Sequence, residues 1–445
     1  MKEEEILQRL HTRLGIGQLN EMQNAMNCRS REGGDMVLLS PTGTGKTVAY
    51  LLPVLQAIKA DNGTVQCVIV APSRELVQQI DGVVRALASA ELKITCCYGG
   101  HNVTDEKNSL AATPTIIVGT PGRLLDHINR RHVDVSTVRL LVLDEFDKSL
   151  ELGFHDEMNR IIKHMTHISR RFLTSATTLK EIPDFLRLNR PKELNFLGGK
   201  KQVDDRIKVW QVKSPDKDKL QALLSLLKCI SDERTMIFVN YRESVERVYD
   251  FLKTHNLPAG MYHGGLEQLD REKAVALFNN GTNKILVTTD LAARGLDITD
   301  VGNIIHYHIP PKADVYTHRN GRTARVEATG EAYVITGPEE TIPDFIHIDD
   351  ILQIHPDSGD KSNHTFIPDT ASLYFNAGKK EKISRGDIVG FLLNNSTLTA
   401  DEIGSISLYD HYAIAAIPAP KAQAVLNQIE RLKIKNKRLK ITLVE

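Results

Sequence analysis

Cysteine is scarce and unpatterned in this chain: five residues (Cys28, Cys67, Cys96, Cys97 and Cys229), an odd number, with no Cys-x-x-Cys pair. That argues against a disulfide framework or a zinc site and fits a reducing cytosol. No apolar run approaches the length that crosses a bilayer. The acidic start, Met1-Lys-Glu-Glu-Glu5, lacks the apolar segment of a secretory leader. A cytoplasmic protein without a membrane partner is expected. An excess of one charge is missing too, since 56 Lys and Arg balance 56 Asp and Glu. No global basic field advertises nucleic acid, so any such surface must be local. Low-complexity tracts and short repeats are absent. What remains is an ordinary globular composition, 41% hydrophobic and 25% charged, spread over 445 residues. That length exceeds one typical core and predicts two or three domains.

Against this background one stretch stands out. Ser40-Pro-Thr-Gly-Thr-Gly-Lys-Thr47 lies between apolar Val37-Leu38-Leu39 and Val48-Ala-Tyr-Leu-Leu52. Strand, Gly-rich turn and helix in that order form the context of a phosphate-binding loop. Gly43 and Gly45 let the backbone of Ser40, Pro41, Thr42, Thr44 and their neighbours curl so that N–H groups surround phosphate oxygens. Lys46 supplies a positive charge for the outer phosphates, and the Thr47 hydroxyl is placed for Mg²⁺. Ser40 stands where the usual pattern opens with glycine. The alternative, a plain surface turn, does not account for the arrival of strand, Gly-Lys-Thr and helix together.

From about residue 35 to 180, short β-branched runs alternate with helical patterns. Strands are predicted at 35–39, 67–71, 94–98, 115–119, 140–144 and 171–175, and helices include 47–59, 74–88 and 122–130. Such alternation predicts a parallel sheet covered by helices, with ligands at the carboxyl ends of the strands. A linker is read at 198–205. A second αβ alternation follows, with strands near 206–212, 235–239, 260–263, 284–288, 303–308 and 332–336, and no phosphate loop of its own. Another linker is read at 354–368. The last segment has the order βαββαβ, an accessory domain of RRM type. The expected domains are 1–200, 206–355 and 370–445.

Leu140-Leu-Val-Leu-Asp-Glu145 is an apolar strand ending in two carboxylates. Nucleotide hydrolysis needs one acid for Mg²⁺, here Asp144, and one to orient or deprotonate the attacking water, here Glu145. In His318-Arg-Asn-Gly-Arg-Thr-Ala-Arg325, Arg319, Arg322 and Arg325 recur every third residue. Spacing alone leaves two readings open: a solvated basic face, or arginine fingers directed at a γ-phosphate.

In order and over nearly all of both αβ segments, the chain resembles the DEAD-box RNA helicases. The phosphate loop is followed by Pro72-Ser-Arg-Glu-Leu76, Gly99-Gly100, Thr120-Pro-Gly-Arg123, Asp144-Glu-Phe-Asp147 and Ser175-Ala-Thr177. Then come Gln268-x-x-Arg271, Thr288-Thr-Asp290, Ala293-Arg-Gly-Leu-Asp297 and the arginine segment. The resemblance implies two tandem RecA-like parallel-sheet domains, an α/β fold, plus a small C-terminal α+β RRM-like domain. It implies ATP and Mg²⁺ as cofactors and RNA-stimulated ATP hydrolysis coupled to local RNA unwinding. Gln23 would read the adenine edge and Asp297 the ribose. Arg322 and Arg325 would complete the ATP site. Asp147, Ser175, Thr177 and His318 would couple the domains. Arg74, Gly100, Thr120, Arg123, Arg271, Thr288 and Arg294 would line the RNA path, mostly touching phosphates and sugars, which gives affinity without base specificity.

The chain departs from the family pattern in places. Phe146 replaces an alanine, Asn320 and Ala324 replace Ile and Gly, and Leu19-Asn-Glu-Met-Gln23 lacks Pro-Thr before the glutamine. Ile6 stands near the spacing of an expected base-stacking aromatic. The C-terminal segment is similar to the ribosomal-RNA-binding domain of the bacterial DbpA group, so a structured ribosomal RNA precursor, ribosomal assembly particles and a role in ribosome biogenesis as a monomer are expected. Tyr409 and Tyr412 are its candidates for base stacking. Lys379, Lys380, Lys382 and Arg385 form one basic cluster, and Lys433, Lys435, Lys437, Arg438 and Lys440 another. An ATP-gated RNA clamp, a scaffold with a dead ATPase and a DNA-directed motor are the rival readings.

Overall fold

A computed structural model describes residues 1–41, 43–59, 63–100, 103–178, 181–197, 207–290, 298, 301–323, 329–353, 366–435 and 437–444. The 198–205 linker and residues 354–365 of the other lie outside the described residues. The chain divides into two compact units, one built on a first sheet and one holding a second sheet together with the C-terminal domain.

The first sheet is made of β1 (Met36–Leu39), β2 (Cys67–Val70), β3 (Ile94–Cys97), β4 (Ile116–Gly119), β5 (Leu140–Leu143), β6 (Arg170–Ser175) and β7 (Lys192–Asn195). Their order is β3-β4-β2-β5-β6-β1-β7, and every pairing is parallel. The inner strands are unbroken apolar runs because both faces are covered. Met36 and Leu38 enter one core with Cys67, Ile69, Leu140 and Val142, while Val37, Leu39, Val68, Val70, Leu141 and Leu143 enter the other. Helices Glu3–Leu14 and Glu21–Ser30, which no sequence pattern had marked, close the first of these cores with Ile6, Leu10, Met22 and Met26. Ile6 has no exposed surface, so it is a core residue and offers no face to a nucleotide base.

The second sheet contains β8 (Ile207–Lys213), β9 (Thr235–Val239), β10 (Ala259–Tyr262), β11 (Ile285–Thr289), β12 (Asn303–His306), β13 (Gly330–Thr336) and β14 (Asp350–Leu352). Its order, β10-β11-β9-β12-β13-β8-β14, is that of the first sheet with seven added to each number. The edge strands β7 and β14 were not expected: each is short and only partly buried, so neither carries an apolar run.

The C-terminal domain has β15 (Thr370–Phe375), β16 (Ile406–Leu408), β17 (Ala413–Pro418), the small hairpin β18 (Lys433–Ile434) and β19 (Lys437–Arg438), and β20 (Ile441–Leu443). Its antiparallel sheet runs β16-β17-β15-β20, with helices Arg385–Asn395 and Ala422–Ile429 covering one face. Phe366, placed in a linker by the sequence pattern, is instead 1% exposed and part of the second unit's core. Apolar burial prevailed there over the polar composition around it.

Candidate functional site

In a parallel sheet all carboxyl ends share one edge, where ligands bind. Strand order sorts the polar segments along that edge. Gly99-Gly100, Thr120 and Arg74 follow β3, β4 and β2; Asp144-Glu145, Ser175–Thr177 and the phosphate loop follow β5, β6 and β1. The residues expected to touch RNA thus occupy one half of the edge, and those expected to handle nucleotide the other.

On the nucleotide half, Gly43 and Gly45 adopt φ of 77° and 87°, the left-handed values that only glycine takes without strain. Side-chain space is closed as well: a Cβ on Gly45 would stand 2.5 Å from Gln23 Nε2. Gln23 is 4% exposed; its amide oxygen accepts from Asn20 N at 3.0 Å and its amide nitrogen donates to Gly45 O at 3.3 Å. Asn20 completes the capping box and donates to Thr44 O at 3.0 Å. Without the Pro-Thr of the family pattern, this asparagine ties the segment to the loop. Lys46 is buried, and its ammonium donates to Ser40 O at 2.7 Å and Pro41 O at 2.9 Å. Ser40, in place of the opening glycine, meets Thr44 Oγ1 at 2.8 Å.

Beyond β5, Asp144 is 2% exposed. Its Oδ1 accepts from Thr174 Oγ1 and from Glu145 N at 3.0 Å, and its Oδ2 accepts from Tyr50 OH at 2.9 Å. Glu145 sits at φ 45°, ψ 53°, a left-handed conformation costing a non-glycine residue on the order of 1 kcal/mol or more. The turn is held by its N–H, which also meets Thr174 Oγ1 at 3.1 Å. Phe146 is fully buried in the core on the other side of the sheet from the N-terminal helices. Asp147 Oδ2 accepts from Thr177 Oγ1 at 2.9 Å, and its Oδ1 is buried with no hydrogen-bond partner among the described residues. Ser175 Oγ donates to Thr177 O and accepts from Thr177 N at 3.1 Å.

On the other half, the Arg74 guanidinium lies over the Gly99-Gly100 turn, where a Cβ on Gly100 would be 2.7 Å from Nη1. Arg123 Nε approaches Glu106 Oε2 at 3.3 Å. Glu106, on helix Val103–Ala111, also accepts from Tyr98 N at 3.1 Å and pairs with buried His127 Nε2 at 2.7 Å. This glutamate was missed, because only the fold brings residues 98, 106, 123 and 127 together. Cys97 lies beside the pair. Burial pushes its pKa up, so it stays a protonated thiol. The Thr120 backbone N–H donates to Cys97 O at 2.9 Å.

In the second unit, Arg271 lies on helix Gln268–Asn279 between β10 and β11, and its Nη2 donates to Gln268 Oε1 at 2.8 Å. Thr288 is fully buried within β11. It cannot itself form an RNA surface; Thr289, on the opposite face of the strand, keeps 9% exposure. Arg319 faces inward: it is 1% exposed and donates to Asp290 Oδ2 at 2.8 Å, His308 O at 2.7 Å and Asn240 Oδ1 at 2.8 Å. Asn320 explains its own departure from the family pattern, since its Oδ1 pairs with buried His306 Nε2 at 3.0 Å. Arg322 is 6% exposed and His318 half-buried. Thr42, Arg294, Asp297 and Arg325 lie outside the described residues.

The C-terminal domain docks on the same helix that carries Arg271. Tyr412 OH donates to Glu272 Oε2 at 2.6 Å, Tyr409 OH to Glu272 O at 3.2 Å, and Ala276 and Leu277 pack on Tyr412 and Ile414. Tyr409 and Tyr412 stack on each other with ring centres 4.5 Å apart. Tyr412, 6% exposed and stacked between Tyr409 and Tyr374, turns both ring faces to protein, contrary to the expected base stacking; Tyr409 gives one face to Tyr412. The two lysine clusters meet: Lys435 Nζ reaches Lys382 O at 3.2 Å and Lys437 Nζ reaches Glu381 O at 2.7 Å.

Residues 20–185 match the DEAD/DEAH box helicase family, 218–327 the helicase conserved C-terminal domain, and 372–443 the DbpA RNA binding domain. The chain is 32% identical over 423 residues to the ATP-dependent RNA helicase DbpA of Escherichia coli (strain K12), covering 93% of this chain and 92% of that protein. It is 30% identical over 460 residues to the protein of the same name from Bacillus subtilis (strain 168), covering 96% and 95%. S. cerevisiae Dbp5 bound to RNA and ADP BeF3 shares the fold, with a TM-score of 0.66 at 24% identity over 75% of this chain and 88% of that one. No helix among the described residues is long and apolar enough to cross a membrane. Three domain matches in order and relatives aligned nearly end to end settle the assignment: the chain belongs to the DEAD-box ATP-dependent RNA helicases of the DbpA type, which are ATP hydrolases.

Proposed function

We propose that RNA-stimulated ATP hydrolysis by this chain drives local unwinding of structured RNA, with a ribosomal RNA precursor as substrate, in a cytoplasmic monomer acting on ribosomal assembly particles. The observation that carries this reading is the partition of the first sheet's carboxyl edge into a half bearing the Gly-rich loop, Asp144 and Glu145 and a half lined by Arg74, Gly100, Thr120 and Arg123. In that reading a triphosphate replaces Ser40 O and Pro41 O as the partner of the Lys46 ammonium, while the curled loop's N–H groups take its oxygens. Gln23 would turn part of its amide to the adenine, and Asp297 would hold the ribose.

The donor set at the loop suits Mg²⁺. Thr47 offers a hydroxyl, Asp144 a buried carboxylate whose Oδ2 takes a single donor among the described residues, and hard oxygen ligands are what that cation demands. Bound there, Mg²⁺ would neutralise charge on the phosphates. Glu145 would orient or deprotonate the water that attacks the γ-phosphate. Arg322 and Arg325 would supply positive charge to the same phosphate. His318 and the Asp147–Ser175–Thr177 cluster would report nucleotide state to the other unit. Buried Asp147 Oδ1, without a partner among the described residues, supports that role. Arg271 and Arg294 would extend the RNA path, with Thr288 supporting Thr289 from within the strand.

RNA-stimulated ATP turnover of the wild type and of Glu145→Gln tests the chemistry: a loss of at least about a hundredfold is expected, and equal rates would contradict it. A strand-separation assay decides whether the turnover opens duplexes. Crosslinking the full chain to total cellular RNA should enrich ribosomal sequences.

A further inference from the structure

The helix that starts at the phosphate loop carries one more polar group, hidden in an apolar run. Tyr50, within Val48-Ala-Tyr-Leu-Leu52, has no exposed surface. A phenol buried this deeply needs a partner for its hydroxyl. It finds one in Asp144, donating to Oδ2 at 2.9 Å. Residues 47 and 50 stand three apart on one helix and so share a face. Thr174 Oγ1 and Glu145 N hold the other carboxylate oxygen. Asp144 can therefore rotate only by breaking bonds on both sides.

We propose that Tyr50 is a positioning residue for the divalent cation, fixing the Asp144 carboxylate so that its free lone pairs face the same metal–nucleotide complex as the Thr47 hydroxyl. The inference rests on Thr47 and Asp144 being the residues that serve the cation. Tyr50→Phe keeps the packing and removes only the hydroxyl.

The test uses the full chain with a non-hydrolysable ATP analogue. Mn²⁺ binding is followed by electron paramagnetic resonance, nucleotide binding is measured in EDTA, and the Mg²⁺ needed for half-maximal ATP turnover is determined. Loss of one orienting hydrogen bond should weaken Mn²⁺ binding and raise the half-saturating Mg²⁺ about three- to tenfold together. Metal-free nucleotide affinity should stay the same. An unchanged or tighter cation affinity overturns the proposal, as does an equal loss of nucleotide affinity in EDTA, which would mark a general packing defect. Asp144→Asn separates the two ideas. If it leaves Mn²⁺ binding intact, the assignment of Asp144 fails; if it weakens binding while Tyr50→Phe does not, only the role of Tyr50 fails. In the double variant the Tyr50→Phe effect should vanish, and a fully additive loss would also overturn the proposal.

Discussion

At the scale of single residues, the arginine segment shows what spacing can and cannot reveal. Arg319, Arg322 and Arg325 look equivalent in the chain, yet Arg319 forms a buried pair with Asp290 and is removed from any ligand surface. Breaking a buried pair costs about 3–5 kcal/mol. Arg319→Ala should lower the stability of the second unit by that amount, read in urea through Trp210, the chain's single tryptophan, on β8. Neighbouring His306 adds a pH dependence. Burial, then the charge of Arg319, hold its pKa down at about 3. Above the ordinary value of about 6.5 both folded and unfolded states leave the ring neutral, and the stability is fully present. Below it the unfolded chain takes up a proton that the folded chain refuses. The second unit should therefore lose about 1 kcal/mol from His306 between pH 7 and 5.5, and more toward pH 3. The same Trp210 titration at several pH values checks this, and His306→Gln should flatten the slope. The residues proposed for the chemistry could be suggested by the sequence because triphosphate hydrolysis dictates their types and order. Glu106 was not, because its role depends on which helix faces Arg123 and His127. Glu106→Ala should destabilise the first unit by roughly 3 kcal/mol and weaken RNA binding by freeing Arg123, measured by unfolding and by RNA titration.

At the scale of elements, the inner strands were read to within about two residues, since burial on both faces leaves an unbroken apolar signature. The N-terminal helices and the edge strands β7 and β14 were not, because partial burial writes a weaker pattern. Nothing in the sequence of helix Gln268–Asn279 announced that it would carry the C-terminal domain. Its Glu272 accepts from both docking tyrosines, and its Gln268 joins Glu272 Oε1 at 2.8 Å to Arg271. Tyr412→Phe should weaken the dock by about 1.5 kcal/mol, seen as faster amide hydrogen exchange in this helix. Exchange at an unaltered rate would show that the hydrogen bond does not hold the dock.

At the scale of the whole molecule, zero net charge hides a local basic surface. The hairpin β18–β19 brings Lys435 and Lys437 to the turn bearing Lys379, Lys380 and Lys382, merging two clusters that lie more than fifty residues apart. Each lysine that contacts a phosphate should contribute about 0.7–0.9 to the slope of log affinity against log salt. Lys435→Gln with Lys437→Gln should lower that slope by roughly 1.5 while leaving ATP turnover on unrelated RNA unchanged.

The docked aromatic face has a further consequence. A domain that grips its own motor with the middle of its sheet must read RNA with its rim. For a transcript held by the lysine hairpin, anchor and Arg271-bearing helix then travel as one piece. Such an arrangement would act as a ruler, selecting duplexes by their distance from the anchoring site rather than by their sequence.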